Sequence, residues 1–468
     1  MATTRRQFIR MGCCAAAGLG MTSGLSPFGL LSALAQGSGY KALVCVFLFG
    51  GNDGNNVLVP LDGTNVPTGF RYSDYLAIRG AQTSGGLGLT PNELLAVTTK
   101  TPQASGATNF GFHPALPRMQ ALFQQERVAV VANVGALVEP ITRAEYLAKT
   151  KQRPANLFSH SDQQQQWQTG NLSGFGTTGW GGRIADRVQS VYNMGAQFPP
   201  ITTVAGTAIF CTGDQTRPFA LVPNSTPGLQ GFSGTPAADA RLQALQELLT
   251  LDTGISLIQA TSSITGSALQ QSATLSGALQ GVTLQTAFPN TSIGNQLSQV
   301  AKIIKVHGAL ALNRQMFFCS QGGYDTHSNQ IPDQNNLLGQ LDAALKAFYD
   351  ATAELNAGSE VTTFVVSDFG RALKPASGAG SDHGWGSQLF VMGGAVLGGN
   401  VYGRFPQFVL GAVSCSEDSS TSGRWIPSTS IDQFGATLAS WFGVPPSSLP
   451  AIFPNLSNFP TQNLGFLA

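Results

Sequence analysis

Four short segments concentrate residues able to bind metal or move protons. They are Gly50-Gly51-Asn52-Asp53-Gly54, Gly322-Gly323-Tyr324-Asp325-Thr326-His327, Ser367-Asp368-Phe369-Gly370-Arg371 and Ser381-Asp382-His383-Gly384. Carboxylate oxygens and imidazole nitrogens are ordinary ligands of divalent cations. Asp53, Asp325, His327, Asp368 and His383 therefore form a candidate set for one or two such ions. Two ions in one site can activate a nucleophile and stabilise an in-line displacement at phosphorus or sulfur. Each residue taken singly also has a plainer role. Asp53 suits a turn or a helix cap, Asp368 suits an N-cap, and Asp325 with His327 suits a hydrogen-bonded loop pair. Arg371 and Arg183 suit an anionic substrate and a structural ion pair equally well.

The elements that must position these segments are legible as apolar runs. Ala42–Phe49 is continuously apolar and ends in Gly50-Gly51, as expected of a strand buried on both faces of a parallel sheet. Val128–Val134, Met316–Cys319, Val361–Val366 and Leu389–Met392 are further runs of this kind. Helical spacing fills Pro114–Gln125 and the stretch from Leu337 to Leu355. Alternating strands and helices predict a doubly wound α/β sheet, mostly parallel and flanked by helices. In such sheets ligands bind beyond the carboxyl ends of the strands. Three of the carboxylates follow predicted strands and His383 precedes another, so all are expected to converge on one sheet edge. Residues 236–315 predict a helical excursion packed on the sheet, and residues 65–103 a surface insertion.

Composition bounds the partners. The chain has 468 residues, 42% hydrophobic, which is enough for a large core. Only 10% of residues are charged, and 25 Lys and Arg against 24 Asp and Glu give +1. That balance supplies no basic excess for a nucleic-acid backbone. The N-terminus, Thr4-Arg5-Arg6-Gln7-Phe8-Ile9-Arg10, carries paired arginines ahead of a Gly/Ala-rich apolar stretch and Ala33-Leu34-Ala35. This is the pattern of a twin-arginine signal peptide over residues 1–35, with the twin-arginine translocase as partner during export. Glycines and Pro27 interrupt the stretch, which argues against a membrane anchor. Removing Arg5, Arg6 and Arg10 leaves 22 cations against 24 acids, near −2. The expected mature chain, residues 36–468, is a single α/β domain in the periplasm or outside the cell, with no apolar run long enough to span a bilayer. Cys45 and Cys319 sit in apolar runs and predict buried thiols, and no C-x-x-C motif suggests zinc or redox use. Gly174–Gly179 spells G-x-G-x-x-G without a preceding strand, and no G-x-S-x-G is present.

The combination FLFGGNDGNNVLVP, GGYDTHSNQ, VVSDFGR and SDHGWGSQLFVMGG resembles a bacterial, twin-arginine-exported family described as domain of unknown function 1501. That family is similar to the alkaline phosphatase and sulfatase superfamily. The resemblance implies an alkaline phosphatase-like fold and metal ligands at Asp53, Asp325, His327, Asp368 and His383. It implies one or two divalent ions of the zinc, manganese or calcium kind. Phe369 stands where the superfamily's strand-end Asp is followed by His, which depletes a second metal site. His160 either replaces that ligand or is structural.

The superfamily's nucleophile sits at a helix N-terminus, and the matching segment is Leu157-Phe158-Ser159-His160-Ser161-Asp162. Ser159 is the first candidate and Ser161 the second, and either equally suits an N-cap. The resemblance implies an exported metal-dependent hydrolase or transferase for phosphate or sulfate esters, on a small molecule or a polymer. Arg371 would steady the substrate's anion. The rival expectation is a secreted or cell-surface binding or assembly protein with a degenerate site.

Overall fold

Residues Lys41–Leu48 (KALVCVFL) form strand β1, the centre of the architecture. Its side chains alternate between two cores. Ala42, Val44, Val46 and Leu48 enter one apolar cluster, and Leu43, Cys45 and Phe47 enter another on the opposite face. A strand covered on both faces has no polar face to expose, which accounts for its unbroken apolar sequence. The computed structural model describes residues 39–468 except 226, 230, 233, 252–253 and 412–415. The expected signal segment, Cys13, Cys14 and Cys415 lie outside the described residues. Tyr40–Ala468 is one compact unit.

After β1 comes a small antiparallel sheet of β2 (Leu58–Pro60), β3 (Leu95–Thr98) and β4 (Asn109–Phe112). The main sheet continues with β5 (Val128–Gly135), β6 (Ile201–Thr203), β7 (Phe219–Ala220), β8 (Arg314–Gln321) and β9 (Val361–Ser367). A hairpin of β10 (Arg371–Ala376) and β11 (Gly380–His383) leads into β12 (Ser387–Gly393). Short strands β13 (Val401–Gly403) and β14 (Thr429–Ser430) pair with β5. The spatial order is β13-β5-β12-β9-β1-β8-β6-β7. β1, β6, β7, β8 and β9 are parallel. β12 alone runs against its neighbours, β5 and β9. This reversal puts the N-terminal end of β12 on the same edge as the carboxyl ends of β1, β8 and β9. His383 can therefore precede its strand and still meet carboxylates that follow theirs.

Six helices matter for the site or the layers: α1 (Tyr72–Arg79), α2 (His160–Thr169), α3 (Trp180–Tyr192), α4 (Ser292–Lys305), α5 (Gln330–Glu354) and α6 (Ile431–Phe442). α4 and α5 cover one sheet face through Leu297, Val300, Leu341 and Phe348. α3 and α6 cover the other through Ile184, Val188, Phe434 and Leu438. The fold is thus α/β, with a mostly parallel sheet between helical layers. Cys45, Cys211 and Cys319 are buried free thiols. No described helix is long and apolar enough to cross a membrane.

Two sequence expectations change. The 236–315 stretch does not pack on the sheet as one body. α4 is buried there, whereas the helices Pro236–Thr250 and Ser256–Leu279 bury only Ala238 and Leu275. Helical periodicity is shared by both parts and does not tell which one the sheet covers. Residues 65–103 are more than a surface loop, because they supply α1 and β3. Tyr75 and Arg79 of α1 are fully buried.

Arg79 makes an ion pair with the buried Asp53, and its guanidinium also donates to the carbonyls of Ala372 (3.0 Å) and Leu373 (2.8 Å) and to Asn56 Oδ1 (3.1 Å). It therefore joins α1, the loop after β1 and β10. Removing one partner of a buried pair leaves an uncompensated charge. We expect Arg79→Ala to lower unfolding free energy by about 3–5 kcal/mol in denaturant titration. A loss below about 1 kcal/mol would mean that the pair is not holding these segments together.

Candidate metal centre

The site begins where β1 ends. The chain turns through Gly50 (φ +117°) and Gly51 (φ +79°), a conformation that L side chains rarely adopt. A Cβ at Gly50 would overlap the backbone nitrogen of Asp325, and one at Gly51 would lie 2.6 Å from the Phe369 ring. The glycine pair is thus what lets the loops after β1, β8 and β9 close on each other. It also aims two amides at one carboxylate. Gly50 N and Gly51 N donate to Asp368 Oδ1 at 3.1 and 2.7 Å. Ser367 Oγ donates to the same oxygen at 3.1 Å.

The other Asp368 oxygen faces α2. His160 Nδ1 lies 2.6 Å from Asp368 Oδ2, and Gln164, one helical turn on, donates to it at 3.1 Å. A carboxylate accepts, so His160 donates through Nδ1 and a neutral ring keeps its lone pair on Nε2. His383 has the same polarity. Its Nδ1 lies 2.7 Å from the Phe158 carbonyl, which can only accept. Tying one ring nitrogen to a carboxylate or carbonyl is how metal-binding histidines are oriented. Phe369 packs against both rings, with centroids 4.6 Å from His160 and 4.8 Å from His383. Phe369 is thus an apolar wall against two imidazoles.

Both Nε2 atoms face Asp325. His160 Nε2 and His383 Nε2 each lie 3.3 Å from Asp325 Oδ1, and His327 Nε2 lies 3.1 Å from it. His327 Nε2 is also 2.9 Å from His383 Nε2. The ligand atoms of His160, Asp325 and His383 all fall within 4.8 Å of one another. His160 Nε2 is shielded from solvent and makes no hydrogen bond of good geometry among the described residues. With neutral rings, lone pairs on Nε2 would face a carboxylate oxygen, an arrangement that calls for a proton or a cation between them. A tetrahedral ion with bonds of about 2.0–2.2 Å holds its ligand atoms about 3.3–3.6 Å apart. The two 3.3 Å separations and the N₂O donor set are compatible with a divalent cation.

The electrostatics follow the geometry. Burial would raise the Asp325 carboxyl, but the Arg371 hydrogen bond and the nearby His160, Arg371 and His327 outweigh it and hold it at about 2. The hydrogen bond to Asp368 raises His160 above the ordinary imidazole value. Burial lowers His383.

The expected site residues divide accordingly. Asp325, His327, Asp368 and His383 come together, and His160 joins them. Asp53 does not. Its Oδ1 accepts from Asn55 N at 3.1 Å as a helix cap, and its Oδ2 is taken by Arg79 and Gln330. A buried carboxylate already paired with a guanidinium is not a free ligand, so Asp53 is a structural residue. Arg371 is also placed differently from the expectation that it meets substrate. Its side chain is fully buried and donates to Asp325 Oδ1 (2.8 Å), the Gly50 carbonyl (3.2 Å) and Ser381. It positions and neutralises Asp325. Ser159 is the N-cap of α2 without a capping bond, and its hydroxyl donates to Asp162 Oδ2 at 2.5 Å and lies 3.1 Å from Ser161 Oγ. None of the contacts made by either serine hydroxyl is with the histidine cluster. Sequence reasoning missed Gln164, Gln330 and Ser381, since no pattern marks a glutamine or serine that bridges distant loops. Gln330 links Asp53 to Ser381, which in turn meets Arg371.

A search of curated proteins finds no match. Among solved structures, similarity is found to Ps i-CgsB in complex with k-i-k-neocarrahexaose, at 10% identity and TM-score 0.34, covering 89% of this chain and 77% of that one. The lipoteichoic acid synthase LtaP from Listeria monocytogenes matches at 6% identity and TM-score 0.30, covering 80% and 70%. The phosphonate monoester hydrolase of Agrobacterium radiobacter matches at 9% identity and TM-score 0.32, covering 89% and 77%. Similarity this low transfers neither activity nor site residues. The family comparison is of another order, because one family model spans residues 40–419 and with them every segment that builds the cluster. This chain belongs to the protein family of unknown function DUF1501.

Proposed function

We propose that this chain is an exported metal-dependent hydrolase or transferase acting on phosphate or sulfate esters. The observation that carries the reading is the convergence of His160 Nε2, His383 Nε2 and Asp325 Oδ1, with both imidazoles anchored through Nδ1. His160, Asp325 and His383 would hold the ion, with His327 beside them. A bound divalent cation would polarise an ester oxygen and offset charge developing at phosphorus or sulfur. The chain's own residues orient the rest. Asp368 holds the His160 ring, the Phe158 carbonyl holds His383, and Arg371 keeps Asp325 ionised. Ser159 is the proposed nucleophile, with Asp162 positioned to accept its proton. The superfamily resemblance of the four motifs supports the ester class, and the paired arginines support export.

The second reading, a secreted or surface binding protein with a degenerate site, draws on two specific observations. The Arg371 side chain is buried and paired with Asp325, and Asp53 is committed to Arg79. Both remove parts of a two-ion mechanism, so the proposal is for one ion.

Elemental analysis of the purified mature chain should find about one zinc, manganese or calcium per chain. His160→Ala and Asp325→Ala should lose it. Hydrolysis of nitrophenyl phosphate or nitrophenyl sulfate should track that ion. Metal-free protein that stays inactive after each ion is supplied would support the binding-protein reading instead. Ser159→Ala should lower turnover by roughly 10³-fold or more with little effect on stability, because the side chain makes no capping bond. Undiminished turnover would remove Ser159 as nucleophile. Protons compete for His160 Nε2, and the ring's pKa is raised. Metal affinity should therefore fall as pH drops, beginning above the ordinary imidazole value of about 6.5. A flat affinity profile between about pH 5 and 8 would contradict His160 ligation.

A further inference from the structure

The loop that delivers His160 also lines a second cavity. Tyr146, Lys149, Lys151, Arg153, Leu157 and Phe158 border a cleft of about 570 Å³. Lys149, Lys151 and Arg153 fall within five residues, in a chain with only 25 Lys and Arg among 468 residues. A cluster of like charge in so neutral a chain costs self-repulsion unless an anion offsets it. Only Lys151 meets carboxylates, Glu139 at 3.5 Å and Glu145 at 3.9 Å. Lys149 and Arg153 are exposed and pair with no carboxylate among the described residues. Arg153 lies over the Tyr146 ring at 5.2 Å, which positions its guanidinium without neutralising it.

Phe158 connects the cleft to the histidine cluster. It lines the cleft, while its carbonyl accepts from His383 Nδ1 at 2.7 Å. Its φ of +71° is unusual for a bulky residue and turns that carbonyl toward the site. The Arg424 guanidinium lies 4.7 Å from the centre of the Phe158 ring.

We propose that this cleft is a subsite for anionic groups flanking the reacting ester, so that the substrate is a polyanionic polymer carrying repeated sulfate or phosphate groups. The inference rests on the reading of the histidine cluster as an ester site. A chain of such groups would occupy the cluster and the cleft together, with affinity that falls with salt.

The test compares wild type with Lys149→Ala/Arg153→Ala, two exposed changes whose folding is checked by thermal midpoint. Dextran sulfate, inorganic polyphosphate and inorganic phosphate are titrated by calorimetry at two salt concentrations, and bound metal is counted in the same samples. The expected result is salt-sensitive binding of at least one polymer, weakened about ten-fold or more in the variant, with weak phosphate binding and metal content unchanged. Equal polymer binding by the two proteins would overturn the subsite, as would phosphate binding as tight as that of the polymers. Metal-free wild type that still loses polymer affinity in the variant would overturn the ester-site reading and its substrate claim while upholding anion binding in the cleft.

Discussion

The Asp368 carboxylate is fully buried and accepts hydrogen bonds from the Gly50 and Gly51 amides, the Ser367 hydroxyl, Gln164 and His160. A buried carboxylate is costly unless nearly every lone pair is satisfied. Here the donors come from three separate stretches of chain. The loop after β1, the end of β9 and the first two turns of α2 must all be in register for this one group to be tolerated. The same constraint orients His160, whose Nδ1 is committed to Asp368 and whose Nε2 is thereby turned to Asp325. The apolar sheet supplies the rigid edge, but Asp368 is what ties the helix bearing His160 to that edge.

A second buried network lies behind the first. Arg79 and Gln330 hold Asp53, Gln330 meets Ser381, and Ser381 meets Arg371, which pairs with Asp325. Two guanidiniums that could have faced a ligand are used instead as internal braces. Their burial lowers both arginines' affinity for a proton, yet each keeps a carboxylate partner that offsets the cost. In a chain with 10% charged residues, this placement of charge in the interior, beneath one sheet edge, is the main departure from an otherwise neutral design.

Much of this was legible from residue order. Largely apolar runs identified β1, β5, β8, β9 and β12, because strands covered on both faces leave few polar positions. Strand-end carboxylates pointed to one sheet edge, and Asp325, His327, Asp368 and His383 come together at that edge. The failures have physical causes. Asp53 follows β1 just as Asp368 follows β9, and only the three-dimensional approach of Arg79 from an insertion distinguishes a braced acid from an available one. Arg371 looked like an anion binder because sequence does not display burial. The helices of residues 236–315 share one periodicity while only α4 packs on the sheet.

The sequence by itself determined the layers of this protein, its shortage of charge and the four segments that carry its reactive side chains. These are properties of local pattern, set by period-two and period-3.6 burial and by the turns that glycine permits. Only the tertiary structure decided which of the acids and imidazoles face one another. That choice depends on the antiparallel course of β12, which brings His383 to the carboxylate edge, and on the docking of α2, which brings in His160 from more than two hundred residues away. Hydrogen bonds between such distant groups have no signature in residue spacing, because their geometry exists only once the sheet has closed around them.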